Sequence, residues 1–90
     1  MFKKEDLKNG MVVEFNNGGR RLVWENRLID KLGYIPISNI NKELYNSDSL
    51  NGEHITKIYL AHDIMYLNSF FNSKSLTCIW DRNIVKGDEQ

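Results

Sequence analysis

The sequence predicts a mainly β, α+β fold: a small bent antiparallel sheet or an SH3-like, partly open barrel, carrying one or two short helices. Three observations point there. Met11, Val13 and Phe15 alternate with Val12 and Glu14 in the period-2 pattern of a half-buried strand. Asn16-Asn17-Gly18-Gly19 follows directly, and Asn and Gly tolerate the left-handed conformations that a tight hairpin demands. Several further short strand-like runs are spread through only 90 residues, a length that fits one domain, residues 1–90, with no room for a linker.

Taken in order, the elements start with a turn-like lead-in, Lys4 to Gly10, in which Gly10 supplies a positive φ before the first strand. Arg20 to Glu25 is the return strand of the hairpin, with Leu22 and Trp24 on one face and Arg21, Val23 and Glu25 on the other. A turn around Glu25-Asn26-Arg27 leads to Leu28-Ile29, and Lys31-Leu32-Gly33 separates that piece from Tyr34 to Ile37. Pro36 has no N–H to give a ladder, so this last strand belongs at an edge or strand end. Ser38 to Asn46 reads as a helical turn, with Ile40 and Leu44 four apart and Ser38 or Asn39 as cap. Ser47 to Gly52 is rich in turn formers, and Ile55 to Leu60 is a further strand. Asp63 caps a second short helix through Phe71, aligning Ile64, Leu67 and Phe71. Leu76, Cys78 and Trp80 then alternate with Thr77 and Ile79 in a final strand.

Composition narrows function by exclusion. Twelve basic residues balance twelve acidic ones, without the positive excess that drives non-specific nucleic-acid binding, so a nucleic-acid partner is disfavoured. The single cysteine, Cys78, permits no intramolecular disulfide and no cysteine-based zinc cluster, which suits a reducing cytoplasm. No apolar run has the length of a signal peptide or a membrane span, so neither membrane insertion nor secretion by that route is expected.

Leu7-Lys8-Asn9-Gly10-Met11-Val12-Val13-Glu14-Phe15, the Asn17-Gly18 turn, Arg20-Arg21-Leu22-Val23, Ile55-Thr56-Lys57-Ile58-Tyr59 and Ile79-Trp80-Asp81-Arg82 together resemble small uncharacterised accessory proteins of phages and prophages of Gram-positive bacteria. The resemblance covers most of the chain, and its motifs are structural. It implies a small phage accessory protein acting in the host cytoplasm, for which countering host antiviral defence is one common role. It carries over no catalytic residue and no cofactor.

The residues themselves support no catalytic set. His54, His62, Asp63 and Cys78 are metal-capable types without ligand spacing, so no metal site is expected. Cys78, alternating with Leu76 and Trp80, reads as a small core residue rather than a nucleophile. No Gly-x-Ser-x-Gly elbow accompanies the serines. An enzyme is therefore not expected.

Two binding classes remain. Arg20, Arg21 and Arg27 are three of four arginines in the chain and surround Trp24, so this set is the candidate site for a nucleotide-type ligand: guanidinium groups on phosphate, the indole on the base. Alternation also makes Trp24 and Trp80 core residues in the simpler reading. Separately, Tyr45, Tyr59, Tyr66, Phe70 and Phe71 exceed what a small core readily hides. Tyr45, Tyr59, Tyr66 and Phe70 are the candidate contacts for a host protein, inhibited by a non-enzymatic binder. A homodimer is expected as well, since it would hide the same surplus and a chain this small buries only ~60–65% of its surface alone. A nucleic-acid-binding SH3-like module is the weaker third class.

Overall fold

The computed structural model describes residues 2–61 and 76–83. They form one six-stranded antiparallel sheet, β1 (Met11–Phe15), β2 (Arg20–Trp24), β3 (Arg27–Ile29), β4 (Tyr34–Pro36), β5 (Ile55–Ala61) and β6 (Leu76–Asp81), in the order β4-β3-β2-β1-β5-β6. Of the two architectures expected, the open sheet is the one that forms, because β4 and β6 are its two ends and do not pair with each other. Two short 3-10 turns, Lys4–Asp6 and Ile37–Asn39, are the helical elements before β5.

Local chemistry explains the hairpins. Phe15 N–H donates to the Gly19 carbonyl at 2.8 Å and Gly18 sits at φ 88°, closing the Asn-Gly turn between β1 and β2. Between β2 and β3 only Glu25 and Asn26 intervene, both at positive φ (48° and 63°), a two-residue turn whose twist matches the strands it joins. Non-glycine residues tolerate that conformation at a cost, and here Asn9 holds it: Glu25 N–H donates to Asn9 Oδ1 at 2.8 Å. Pro36 lies on an edge strand, as its missing N–H requires. Ile37 N–H reaches the Asn26 carbonyl and Asp30 N–H the Gly33 carbonyl, each at 2.9 Å, so by alternation the Pro36 nitrogen faces away from β3.

The sheet buries its two faces unequally. On the inner face Val13, Phe15, Val23, Leu28, Ile55, Ile58 and Trp80 pack beneath Leu7, Ile40 and Leu44, with Phe2 and Ile37 at the margin. On the outer face Val12, Leu22 and Tyr59 form a smaller cluster with Ala61 and Leu76 beside it. Burial of each large apolar side chain contributes roughly 1.5–3 kcal/mol. The inner cluster therefore dominates.

Three expectations need correction. Ser38 to Asn46 is not a helical turn beyond Ile37–Asn39, and Ile40 and Asn46 instead face each other in an isolated β-bridge. The Asn41 side chain accepts from Glu43 N–H (2.9 Å) and Tyr45 N–H (3.0 Å), which competes with helical bonding, and Leu44 takes φ 68°. Ile40 and Leu44 still reach the core. Cys78 is exposed rather than buried. Ile58 opposes Trp80 while Tyr59 opposes Cys78, so Ile79 is an extra residue that switches the face of everything before it. Trp24 is not core, being 40% exposed, because among the described residues the segments that cover the sheet lie on the inner face and Trp24 shares the face of Leu22. The helix expected over Asp63–Phe71 lies outside the described residues.

Candidate functional site

The outer face is legible row by row from the register. One row runs through every strand, Tyr34, Ile29, Leu22, Val12, Tyr59 and Cys78 on β4, β3, β2, β1, β5 and β6. A parallel row nearer the β1–β2 turn reads Arg20, Glu14, Lys57, Asp81 and alternates in charge. The third, at the opposite end, reads Trp24, Arg27, Pro36. A charged row, an apolar row and an aromatic corner thus share one face.

In the charged row, Arg20 Nε donates to Glu14 Oε1 at 2.8 Å, and the Tyr59 hydroxyl reaches the same oxygen at 3.3 Å. The Arg20 guanidinium also lies 5.0 Å from the centre of the Tyr59 ring. Partial burial pulls the Arg20 pKa down, but the Glu14 hydrogen bond and charge outweigh it and the net shift is upward. Burial, reinforced by the Glu14 charge, raises the Tyr59 pKa against the opposing pull of Arg20 and Lys57. The second bulge serves this row: Thr56 is the extra residue between the Phe15–Ile55 and Glu14–Lys57 pairs, and its hydroxyl donates to the Glu14 carbonyl at 3.2 Å.

The aromatic corner is different. The two-residue turn sets Trp24 directly opposite Arg27, and the Arg27 guanidinium stands 5.1 Å from the centre of the Tyr34 ring. Tyr34 is 57% exposed. Arg27 forms no ion pair among the described residues, so its donors face solvent with one side of the guanidinium on a π surface.

The four residues expected to hold a nucleotide-type ligand are therefore not one cradle. Trp24 and Arg27 are neighbours. Arg20 is on the same face but engaged by Glu14, and Arg21, opposite Val13, points to the inner side, where it pairs with Asp30 at 3.3 Å. The expected protein-contact set is also split. Tyr59 is only 9% exposed within the outer cluster, whereas Tyr45 stacks on His54 with ring centres 4.4 Å apart. Tyr66 and Phe70 lie outside the described residues.

Two residues were missed from the sequence. Tyr34 completes the aromatic corner, and its signal was an aromatic at the outward position of a short edge strand. Arg82 donates to the Ile55 carbonyl (2.8 and 3.1 Å) and the Glu43 carbonyl (2.9 Å) while lying 5.7 Å from the Tyr45 ring centre and 5.3 Å from that of Trp80. It ties the 40s loop to the core, and a charged residue near the end of a strand gave no hint of that. His54 Nδ1 contacts the Gly52 carbonyl at 2.8 Å, and among the described residues no three His, Cys, Asp or Glu side chains gather as metal ligands. No helix among them is long and apolar enough to cross a membrane. No family model, no curated protein and no solved structure matches the chain.

Proposed function

We propose that this chain is a non-enzymatic binding protein that docks the aromatic corner of its outer face on another protein and blocks it. The observation that carries the reading is the juxtaposition of exposed Trp24 and Tyr34 around Arg27, which has no ion pair among the described residues. Trp, Tyr and Arg are the side chains that most often dominate binding energy at protein interfaces, where large flat groups lose little entropy and one guanidinium replaces several waters. The resemblance to phage and prophage accessory proteins supplies the setting: a host protein of antiviral defence, met in the host cytoplasm.

The nucleotide-type reading has less behind it. It drew on three arginines around Trp24, and two of them are satisfied by Glu14 and Asp30 of the chain itself. One remaining guanidinium suits a single anion better than a polyphosphate.

The test is capture from a lysate of a Gram-positive bacterium with the full chain as bait. Trp24→Ala combined with Tyr34→Ala should lose the captured protein while melting cooperatively. Leu50→Ala, at a fully exposed position in the separate loop before β5, should keep it. Equal capture by the double variant would reject the reading. A homodimer that hides Trp24 and Tyr34 is the competing occupant of this face, and sedimentation of the double variant reads it directly: the dimer would dissociate.

A further inference from the structure

The corner's chemistry specifies what must sit on it. The chain contains four arginines, and three are engaged internally: Arg20 by Glu14 at 2.8 Å, Arg21 by Asp30 at 3.3 Å, Arg82 by the carbonyls of Ile55 and Glu43. Arg27 alone among the described residues has a π face against Tyr34 and no anion. An occupant that buried Trp24 and Tyr34 without supplying an anion would strip water from a guanidinium and leave it unpaired, which offsets the gain from apolar contact. We infer that the corner recognises a single carboxylate, an Asp or Glu side chain of the partner protein flanked by an apolar or aromatic residue, with the carboxylate on the Arg27 edge and the apolar neighbour on Trp24. This inference rests on the docking function proposed above and adds the partner's chemistry to it.

Charge complementarity favours a carboxylate over a nucleic-acid backbone. Glu25 adjoins Trp24 in the turn, Glu14 and Asp81 share the outer face with Arg27, and the chain as a whole has no net charge. A run of phosphates crossing this face would meet the Arg27 guanidinium and Lys57 interleaved with carboxylates. One partner carboxylate meets a fork of parallel N–H donors, held in place by the Tyr34 ring, and bidentate geometry is available to it.

The measurement uses the full chain and two matched peptide libraries, each peptide placing a central residue between leucine or phenylalanine neighbours. The centre is Asp or Glu in one library and Asn or Gln in the other, and an oligothymidylate serves as the phosphate probe. Fluorescence anisotropy should show the acidic library binding about tenfold or more tighter than the amide library, a difference of about 1.4 kcal/mol. Arg27→Gln should erase that difference, Arg27→Lys should keep part of it, and Lys42→Gln, at an exposed lysine on the covering segment, should leave it intact. Equal binding of both libraries would overturn the carboxylate assignment, as would Arg27-dependent binding of oligothymidylate tighter than that of the acidic peptides. The two ideas fail separately. Lysate capture that needs Trp24 but survives Arg27→Gln sinks the carboxylate and leaves docking standing, whereas capture indifferent to Trp24 and Tyr34 removes docking itself.

Discussion

The two faces of this sheet are made from the same strands, residue by alternate residue, and they have opposite chemistry. The inner face is a mainly apolar layer roofed by Leu7, Ile40 and Leu44, with the Arg21–Asp30 pair as its charged exception. The outer face keeps only Val12, Leu22 and Tyr59 in a cluster and surrounds them with a charged row and an aromatic corner. Apolar burial is concentrated on one side of the sheet and exposed polar and aromatic groups on the other, so the two faces respond differently to substitution.

That contrast breaks most sharply in the core. Ile58→Ala removes a fully buried side chain of the inner cluster and should cost about 2–5 kcal/mol in denaturant unfolding, because the roof cannot fully collapse into the gap. Next is the charged row. Glu14→Ala removes the carboxylate that both the half-buried Arg20 and the Tyr59 hydroxyl engage and should cost about 1–3 kcal/mol, with the cost falling in the double variant Glu14→Ala, Arg20→Met. If the single and double variants were equally unstable, the row would be a surface ornament. Arg82→Ala should cost a comparable amount and speed amide exchange in the 40s loop, since three hydrogen bonds to carbonyls go with it.

Alkaline pH sharpens the same comparison. The Tyr59 pKa lies above its ordinary value of 10.0 in the folded chain, so between the two values the folded state holds a proton that the unfolded state has released. This contribution is fully present below pH 10.0 and is lost as pH rises through the folded value. Tyr59→Phe should therefore flatten the decline in melting temperature above that pH, and an unchanged slope would remove Tyr59 from the account. The smallest effect belongs to the corner: Arg27→Ala should change stability by no more than about 0.5 kcal/mol while altering partner binding.

Much of the inner face was legible in the sequence. The period of Met11 to Phe15, the Asn-Gly turn, the strand at Ile55 and the edge position of Pro36 each follow from a residue's own steric or hydrogen-bonding limits. What escaped depends on partners distant in the chain. The bulges at Thr56 and Ile79 exist only relative to β1 and β5, so nothing within Leu76–Trp80 announces that Cys78 and Trp80 occupy opposite faces. Trp24 alternates as a core residue should, and whether it is covered was decided by which face received the segment from Ile37 to Leu44. The arginines were found, and alternation already put Arg21 on the face opposite Trp24, but their neutralisation was not legible, because Glu14 and Asp30 come from other segments of the chain.

The Asn-Gly steps that shape the turns also set a chemical clock. Asparagine followed by glycine deamidates when the glycine nitrogen attacks the side-chain amide and releases ammonia. At Asn9-Gly10 the glycine N–H is held by the Val23 carbonyl and the Asn9 amide by Glu25, and at Asn17-Gly18 the N–H is held by the Phe15 carbonyl and the Asn17 amide by Glu53. Asn51-Gly52, on the loop before β5, has neither restraint among the described residues. Ageing of the purified protein should therefore begin at Asn51, adding a negative charge beside Glu53 and leaving the sheet intact, and peptide mapping after prolonged storage at mildly alkaline pH will show the order in which the three sites convert.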